Sequence, residues 1–309
     1  MEGNTFEVIV LGCNGGPKET NLSGYLLGPL GTDEYLAFDA GSLLEGIEIA
    51  IKKGSLPNQS HNSPLTQAGE ILHNKIRAYL ISHAHLDHIL GLVVNSQIDS
   101  SKALMGLPPT IDNIRDFIFN GRIWPNYGSE GREPILHLYT YHRLELHKPT
   151  PVPNTGMQVE AFLLSHPHGY PSTAFLVESK GDYVLYFGDT SSDLMENEKH
   201  LARVWKRIAP LIQEKRLKGI FLECSYPHAD EEQAQFGHLD TKLMMKEMHH
   251  LAEIAATSLQ DLPIIVTHRK QHLFSHEDAV TRIAQELTDR NNDLGLKLIF
   301  PTQGARLLL

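Results

Sequence analysis

Within seven residues the chain sets down three histidines and an aspartate, Ser82-His83-Ala84-His85-Leu86-Asp87-His88. Imidazole and carboxylate together suit zinc, manganese or iron rather than calcium. Side chains two apart on an extended segment point the same way, so His83 and His85 can share one ion. Asp87 and His88 turn away at the bend expected to follow, and can serve a second ion nearby. Two ions roughly 3.5–4 Å apart suit hydrolysis, because a water bridging them loses a proton at neutral pH and becomes a hydroxide nucleophile. A polar turn with chance histidines is the competing explanation, and the tight grouping weighs against it.

Such residues need elements to hold them, and short apolar runs alternate with amphipathic stretches along the whole chain. Phe6–Leu11, Leu22–Leu27, Tyr35–Phe38 and Ile76–Ile81 read as strands, the last running directly into Ser82-His83. Leu43–Ile51 spaces Leu44, Ile47, Glu48 and Ile51 like one helix ending near Gly54, and Leu56–Pro64 reads as a loop. Thr110–Phe119 looks helical, and Asn120–Pro134 looks like a Gly/Pro-rich insertion. Strands are expected at Leu136–Tyr139, Arg143–Leu146, Met157–Leu164, Ser172–Glu178 and Asp182–Phe187. Helix and strand then alternate through Glu196–Lys215, Gly219–Glu223, Asp240–Thr257, Ile264–Thr267, Glu277–Asp289 and Leu296–Ile299. A β-rich first half and an α/β second half, with no low-complexity linker, predict one domain spanning residues 1–309. Two facing sheets with helices outside would let each sheet bury one face.

Composition narrows the setting. With 41% hydrophobic and 21% charged residues, the 309-residue chain is an ordinary globular one. No apolar run approaches a membrane span of roughly 18 residues. The start, Met1-Glu2-Gly3-Asn4, has no basic region, so no signal peptide is expected. Cys13 and Cys224 are the two cysteines, which excludes a disulfide framework and points to a reducing, cytoplasmic location. A formal charge of −10 disfavours broad contact with nucleic acid phosphates.

His83-x-His85-x-Asp87-His88 resembles the metal motif of the metallo-β-lactamase superfamily. Its continuation, His85-Leu86-Asp87-His88-Ile89-Leu90-Gly91-Leu92-Val93-Val94-Asn95-Ser96, resembles the signature of class II 3′,5′-cyclic nucleotide phosphodiesterases, with Gln97 where that signature has a small residue or proline. Similar blocks follow in the expected order: Tyr186-Phe187-Gly188-Asp189-Thr190, Ile220 to Tyr226, Phe236-Gly237-His238-Leu239 and Val266-Thr267-His268. The resemblance implies an α/β metallo-β-lactamase fold, a four-layer αββα sandwich with a dinuclear metal site. His83 and His85 would hold the first ion with a third histidine from Ser165-His166-Pro167-His168, where His166 at the strand end is preferred over His168. Asp189 would bridge both ions, and Asp87, His88 and His268 would complete the second site.

Supporting roles are implied as well. Asp39 and Glu223, each closing a strand, would orient ligating imidazoles by hydrogen bonds. Asn14-Gly15-Gly16 would open on the site. His238 would approach the substrate phosphate or the leaving oxygen, since a departing sugar alkoxide benefits from a proton donor or a positive partner. Asp87 and His238 are therefore the candidate catalytic residues, Asp87 as a ligand of the second ion. Cys13 and Cys224 are expected to be packing residues.

The implied activity is hydrolysis of a cyclic nucleotide, cyclic AMP before cyclic GMP, to a 5′-nucleotide, a reaction of signal transduction. Two divalent ions are expected, zinc first and manganese or iron as alternatives. The partner would be a small cyclic nucleotide rather than nucleic acid or a membrane, with monomer and homodimer both open. A tRNA 3′-processing endonuclease or a thioester or lactone hydrolase of the same fold is the rival, and a non-enzymatic binding protein the third. A processing nuclease would want a basic arm to grip RNA, and none is visible.

Overall fold

A computed structural model describes residues 3–56, 63–195, 199–228, 237–271 and 278–309, His168 by its backbone alone. Expected residues Phe236 and Glu277, the start of the helix proposed from Glu196, and most of the loop Leu56–Pro64 lie outside the described residues. The chain divides into two compact units, one of Met1–Cys13, Glu19–Ala161 and Thr302–Leu309, the other of Asn14–Lys18 and Phe162–Pro301.

In the first unit the strands are β1 (Phe6–Gly12), β2 (Gly24–Pro29), β3 (Tyr35–Phe38), β4 (Ile76–Leu80), β5 (Lys102–Gly106), β6 (Tyr139–Arg143), β7 (Thr150–Pro151) and β14 (Arg306–Leu308). The sheet order is β14-β1-β2-β3-β4-β5-β6. Pairing is antiparallel from β14 to β3 and parallel from β3 to β6. Every residue of β1, β2, β3 and β5 is buried, so these strands carry apolar runs in place of alternation. Helices α1 (Leu44–Lys52), α2 (Gln67–Glu70), α3 (Leu86–Asn95) and α4 (Pro108–Asn113) accompany the sheet. Ile47, Ala50, Ile89, Leu92 and Ile111 pack with Ile9, Leu11, Leu26, Tyr79, Ile81 and Leu104 in one core.

β8 (Gln158–His166) carries the chain into the second unit, where β9 (Tyr170–Ser179), β10 (Asp182–Phe187), β11 (Leu217–Glu223), β12 (Pro263–Thr267) and β13 (Lys297–Ile299) follow. The order is β13-β12-β11-β10-β9-β8-β7, with β7 antiparallel to the start of β8. β9 and β10 form a hairpin across Lys180-Gly181, both at positive φ as a type I′ turn requires. The remaining neighbours from β10 to β13 are parallel. The connections carry α5 (His200–Gln213), α6 (Thr241–Ala255) and α7 (Ala279–Arg290). Their apolar faces, Trp205 and Ile208, Met244 and Met248, Ile283 and Leu287, pack on Leu185, Phe187, Ile220, Leu222, Ile264 and Val266.

The structure departs from the sequence expectations at several elements. Leu86–Asn95 is a helix where a bend was expected, so Asp87 and His88 occupy its first turn. The two strands expected around residues 136–146 are one, Tyr139–Arg143, with buried Tyr139 and Tyr141 alternating with exposed Thr140. β5, β14 and the helical stretch through residues 67–75 had no clear periodic signature and were not expected.

Candidate metal centre

In the first unit the candidate ligands follow β4. Asp39 stands just past β3, fully buried and at φ +53°. Its carboxylate accepts hydrogen bonds from the Ser82 amide (2.7 Å) and the Ser82 hydroxyl (2.8 Å). It also accepts one from His88 Nδ1 at 2.8 Å. The Ser82 oxygen lies 3.0 Å from His83 Nδ1. With its own proton committed to Asp39, that hydroxyl accepts from His83, which puts the His83 lone pair on Nε2. His83 Nε2 and His85 Nδ1 are 3.0 Å apart. That spacing fits two nitrogens bound to one cation at about 2.0–2.1 Å each. The His83 ring also meets the His88 ring, with centroids 4.1 Å apart.

The second unit gathers its candidates from several strand ends. His166, the last residue of β8, is buried, and its Nδ1 lies 2.9 Å from the Gly237 carbonyl oxygen. Gly237 sits at φ +72°, and a Cβ there would come within 2.2 Å of the Pro167 ring, so glycine alone lets the carbonyl reach His166. Burial pushes the His166 imidazole pKa down to about 4, which favours the neutral, metal-binding form. Asp189 follows β10. Its Oδ2 is 3.7 Å from His166 Nε2, and its Oδ1 is 3.3 Å from His268 Nε2. The Asp189 carboxylate thus turns a different oxygen to each of two imidazoles.

His268 follows β12 at φ +54° and its Nδ1 lies 2.9 Å from Ser225 Oγ. That hydroxyl donates to Glu223 at 2.6 Å. Glu223, at the end of β11, also accepts from the Thr190 amide (2.8 Å) and from His238 Nδ1 (2.9 Å). Burial, and then the Asp189 charge, raise the Glu223 carboxyl to about 7. The His238 and His268 rings stack, with centroids 5.1 Å apart and planes at 23°. One ligand atom each from Asp189, His238 and His268 lies within 4.8 Å of the others. Gly15 packs here too: a Cβ on it would be 2.5 Å from the His268 ring, and its amide donates to the Arg269 carbonyl at 3.3 Å.

The donor sets therefore fit divalent metal ions. His83 and His268 are held by Nδ1 through a serine, His88 through a carboxylate and His166 through a carbonyl, which leaves Nε2 as the candidate ligand atom of each. Of the expected residues, His83, His85 and His88 cluster in the first unit. His166, Asp189, His238 and His268 cluster in the second. Asp39 and Glu223 make the supporting bonds expected of them. The serines that complete the supports, Ser82 and Ser225, had no role assigned from sequence, although each adjoins a residue that did. Trp124 and Tyr127 of the insertion pack against the first unit's core, and both cysteines are buried thiols outside any disulfide.

A family model described as cAMP phosphodiesterases class-II matches residues 5–304. The chain belongs to this family. Among similar proteins, the 3′,5′-cyclic-nucleotide phosphodiesterase of Aliivibrio fischeri is 35% identical, the match covering 99% of this chain and 93% of the relative. A probable 3′,5′-cyclic-nucleotide phosphodiesterase of Yersinia pestis is also 35% identical, over 97% and 88%. The unliganded crystal structure of yeast PDE1 superposes with a TM-score of 0.85 at 26% identity, covering 99% of this chain and 100% of that one. The metallo-β-lactamase fold protein YhfI of Bacillus subtilis matches at TM-score 0.63 and 16% identity, covering 98% and 99%, a likeness of fold alone. The class-II chain described here thus has the metallo-β-lactamase fold, with mixed α/β structure and two sheets. No helix among the described residues is long and apolar enough to cross a membrane.

Proposed function

We propose that this chain hydrolyses 3′,5′-cyclic nucleotides, cyclic AMP first among them, to 5′-nucleotides. The observation that carries the reading is the class-II family match along residues 5–304, which includes every candidate ligand. In this reading His83, His85 and His166 hold one ion, Asp87, His88 and His268 hold another, and Asp189 bridges the two. The two compact units then work as one hydrolase domain. Zinc is the preferred metal on the strength of the histidine-rich donor set. Two buried, undisulfided cysteines support a reducing cytoplasmic setting.

Divalent ions bound there would activate water near neutral pH and neutralise charge on the phosphoryl group. The chain's own part is orientation. Asp39 and Glu223 fix the imidazoles by Nδ1, so each presents one nitrogen in one direction. His238 is assigned to the leaving 3′ oxygen, which needs a proton or a positive partner as it departs.

Turnover of cyclic AMP, cyclic GMP and a pre-tRNA by metal-replete protein tests the reading. Cyclic AMP should give 5′-AMP, and elemental analysis should find two ions per chain. Cleavage of the pre-tRNA with inert cyclic nucleotides would replace this function by an endonuclease. His166→Ala should remove first-site metal, while His168→Ala should leave it bound.

A further inference from the structure

We infer that Lys270 is the substrate-binding cation of this site, mounted on His238 and Glu223, and that its ammonium takes up an oxygen of the nucleotide phosphate. The inference rests on the phosphodiesterase reading and adds to it the residue that meets the anion.

Lys270 is half-buried two residues past His268, and its amide donates to the Ser225 carbonyl at 3.1 Å. Its Nζ lies 3.0 Å from His238 Nε2. The opposite ring nitrogen, Nδ1, faces both oxygens of the Glu223 carboxylate, at 2.9 and 3.2 Å. A carboxylate accepts, so Nδ1 carries the ring proton and Nε2 the lone pair. An ammonium only donates, so the second bond runs from lysine to histidine. Lys270, His238 and Glu223 thus form a string in which every N–H points the same way, ending at a buried carboxylate.

The outer end of that string is a fixed positive charge. One of its three N–H bonds serves His238. Among the described residues its side chain has this imidazole as partner and no carboxylate. The adjacent cation is committed elsewhere: Arg269 is buried, and its guanidinium donates to the Pro301 carbonyl at 2.6 Å. A lysine held by a neutral ring keeps its full charge for an incoming anion, which a carboxylate partner would have cancelled. Lysine binds phosphate as a point charge and needs no planar match. An imidazole that accepts from Lys270 at Nε2 is a mount for that charge, which defines how His238 serves the leaving group.

Calorimetric titration of the metal-loaded protein with 5′-AMP and with adenosine separates a phosphate contact from a structural role. Lys270→Gln should weaken 5′-AMP by about 10- to 100-fold, the worth of one charged hydrogen bond, and leave adenosine and the melting temperature unchanged. Lys270→Arg, which keeps the charge, should recover most of the 5′-AMP affinity. Unchanged 5′-AMP affinity in Lys270→Gln, or an equal loss for both ligands, would overturn the assignment. Cyclic AMP turnover by the wild type, run in parallel, tells the two readings apart. Turnover with 5′-AMP affinity indifferent to Lys270 sinks only the lysine. Lysine-dependent 5′-AMP binding with inert cyclic nucleotides sinks the hydrolase reading and keeps the contact.

Discussion

The two units solve the same problem with the same chemistry and opposite bookkeeping of chain length. In the first, Asp39 holds His88 directly and His83 through the Ser82 hydroxyl. In the second, Glu223 holds His238 directly and His268 through the Ser225 hydroxyl. In each unit one buried carboxylate and one serine thus hold two imidazoles by Nδ1. The first draws its serine and histidines from a single run after β4. The second draws its parts from the ends of β11 and β12 and from the loop before α6. A local run can be displaced as a piece; a set gathered from separate elements holds its geometry only while the sheet holds its register.

The largest expected effect tests whether the local run carries chemistry. Asp87→Ala should cut turnover by several orders of magnitude with the fold intact, because it removes one ligand and leaves the three first-site histidines. Circular dichroism and a steady-state assay check it, and near-normal activity would show that the second ion is dispensable.

Next comes the pair of carboxylates. Asp39→Ala strips a buried histidine and serine of their acceptor at once, and should cost about 3–5 kcal/mol in denaturant unfolding. Glu223→Gln keeps the volume but turns an amide toward His238, and should lower metal affinity or activity by about 10- to 100-fold. A competitive chelator titration reads the second effect. If Glu223→Gln left metal affinity untouched while Asp39→Ala abolished it, the equivalence of the two supports would be wrong.

The serines give the finest comparison. Ser82→Ala and Ser225→Ala each leave one imidazole Nδ1 without its hydroxyl, worth about 1–3 kcal/mol apiece. Thermal unfolding of the two variants side by side should give similar losses. A loss confined to Ser82→Ala would mean that the second unit orients His268 by other means, the packing of Gly15 being the first to examine.

The same contrast explains what could be read from the sequence. The run from Ser82 to His88 announced itself because its candidate ligands are neighbours. Asp189 and His268 were found because each closes a strongly apolar strand, and the resemblance supplied their roles. Ser225 stayed silent, since a serine after a strand is common and only the fold brings it to His268, 43 positions away. Lys270 was silent for a like reason, its partner lying 32 positions back. Among the elements, α3 was missed because polar Asp87 and His88 occupy its first turn and mask the spacing of buried Ile89 and Leu92. β5 was missed because its five buried residues, Lys102 included, alternate with nothing.

Asp39 and His268 share one more property: both hold left-handed backbone, at φ +53° and +54°, though neither is glycine. Such a conformation costs of order 1–3 kcal/mol per residue, and surrounding bonds must enforce it. Selection tolerates that cost only while the side chain is needed. Asp39 also answers for three buried hydrogen bonds, so its replacement would cost more than the relaxed backbone returns. In a lineage released from hydrolysis, His268 is therefore where drift toward glycine or asparagine would first relieve strain, an early sign of a retired enzyme visible before the histidine run itself decays.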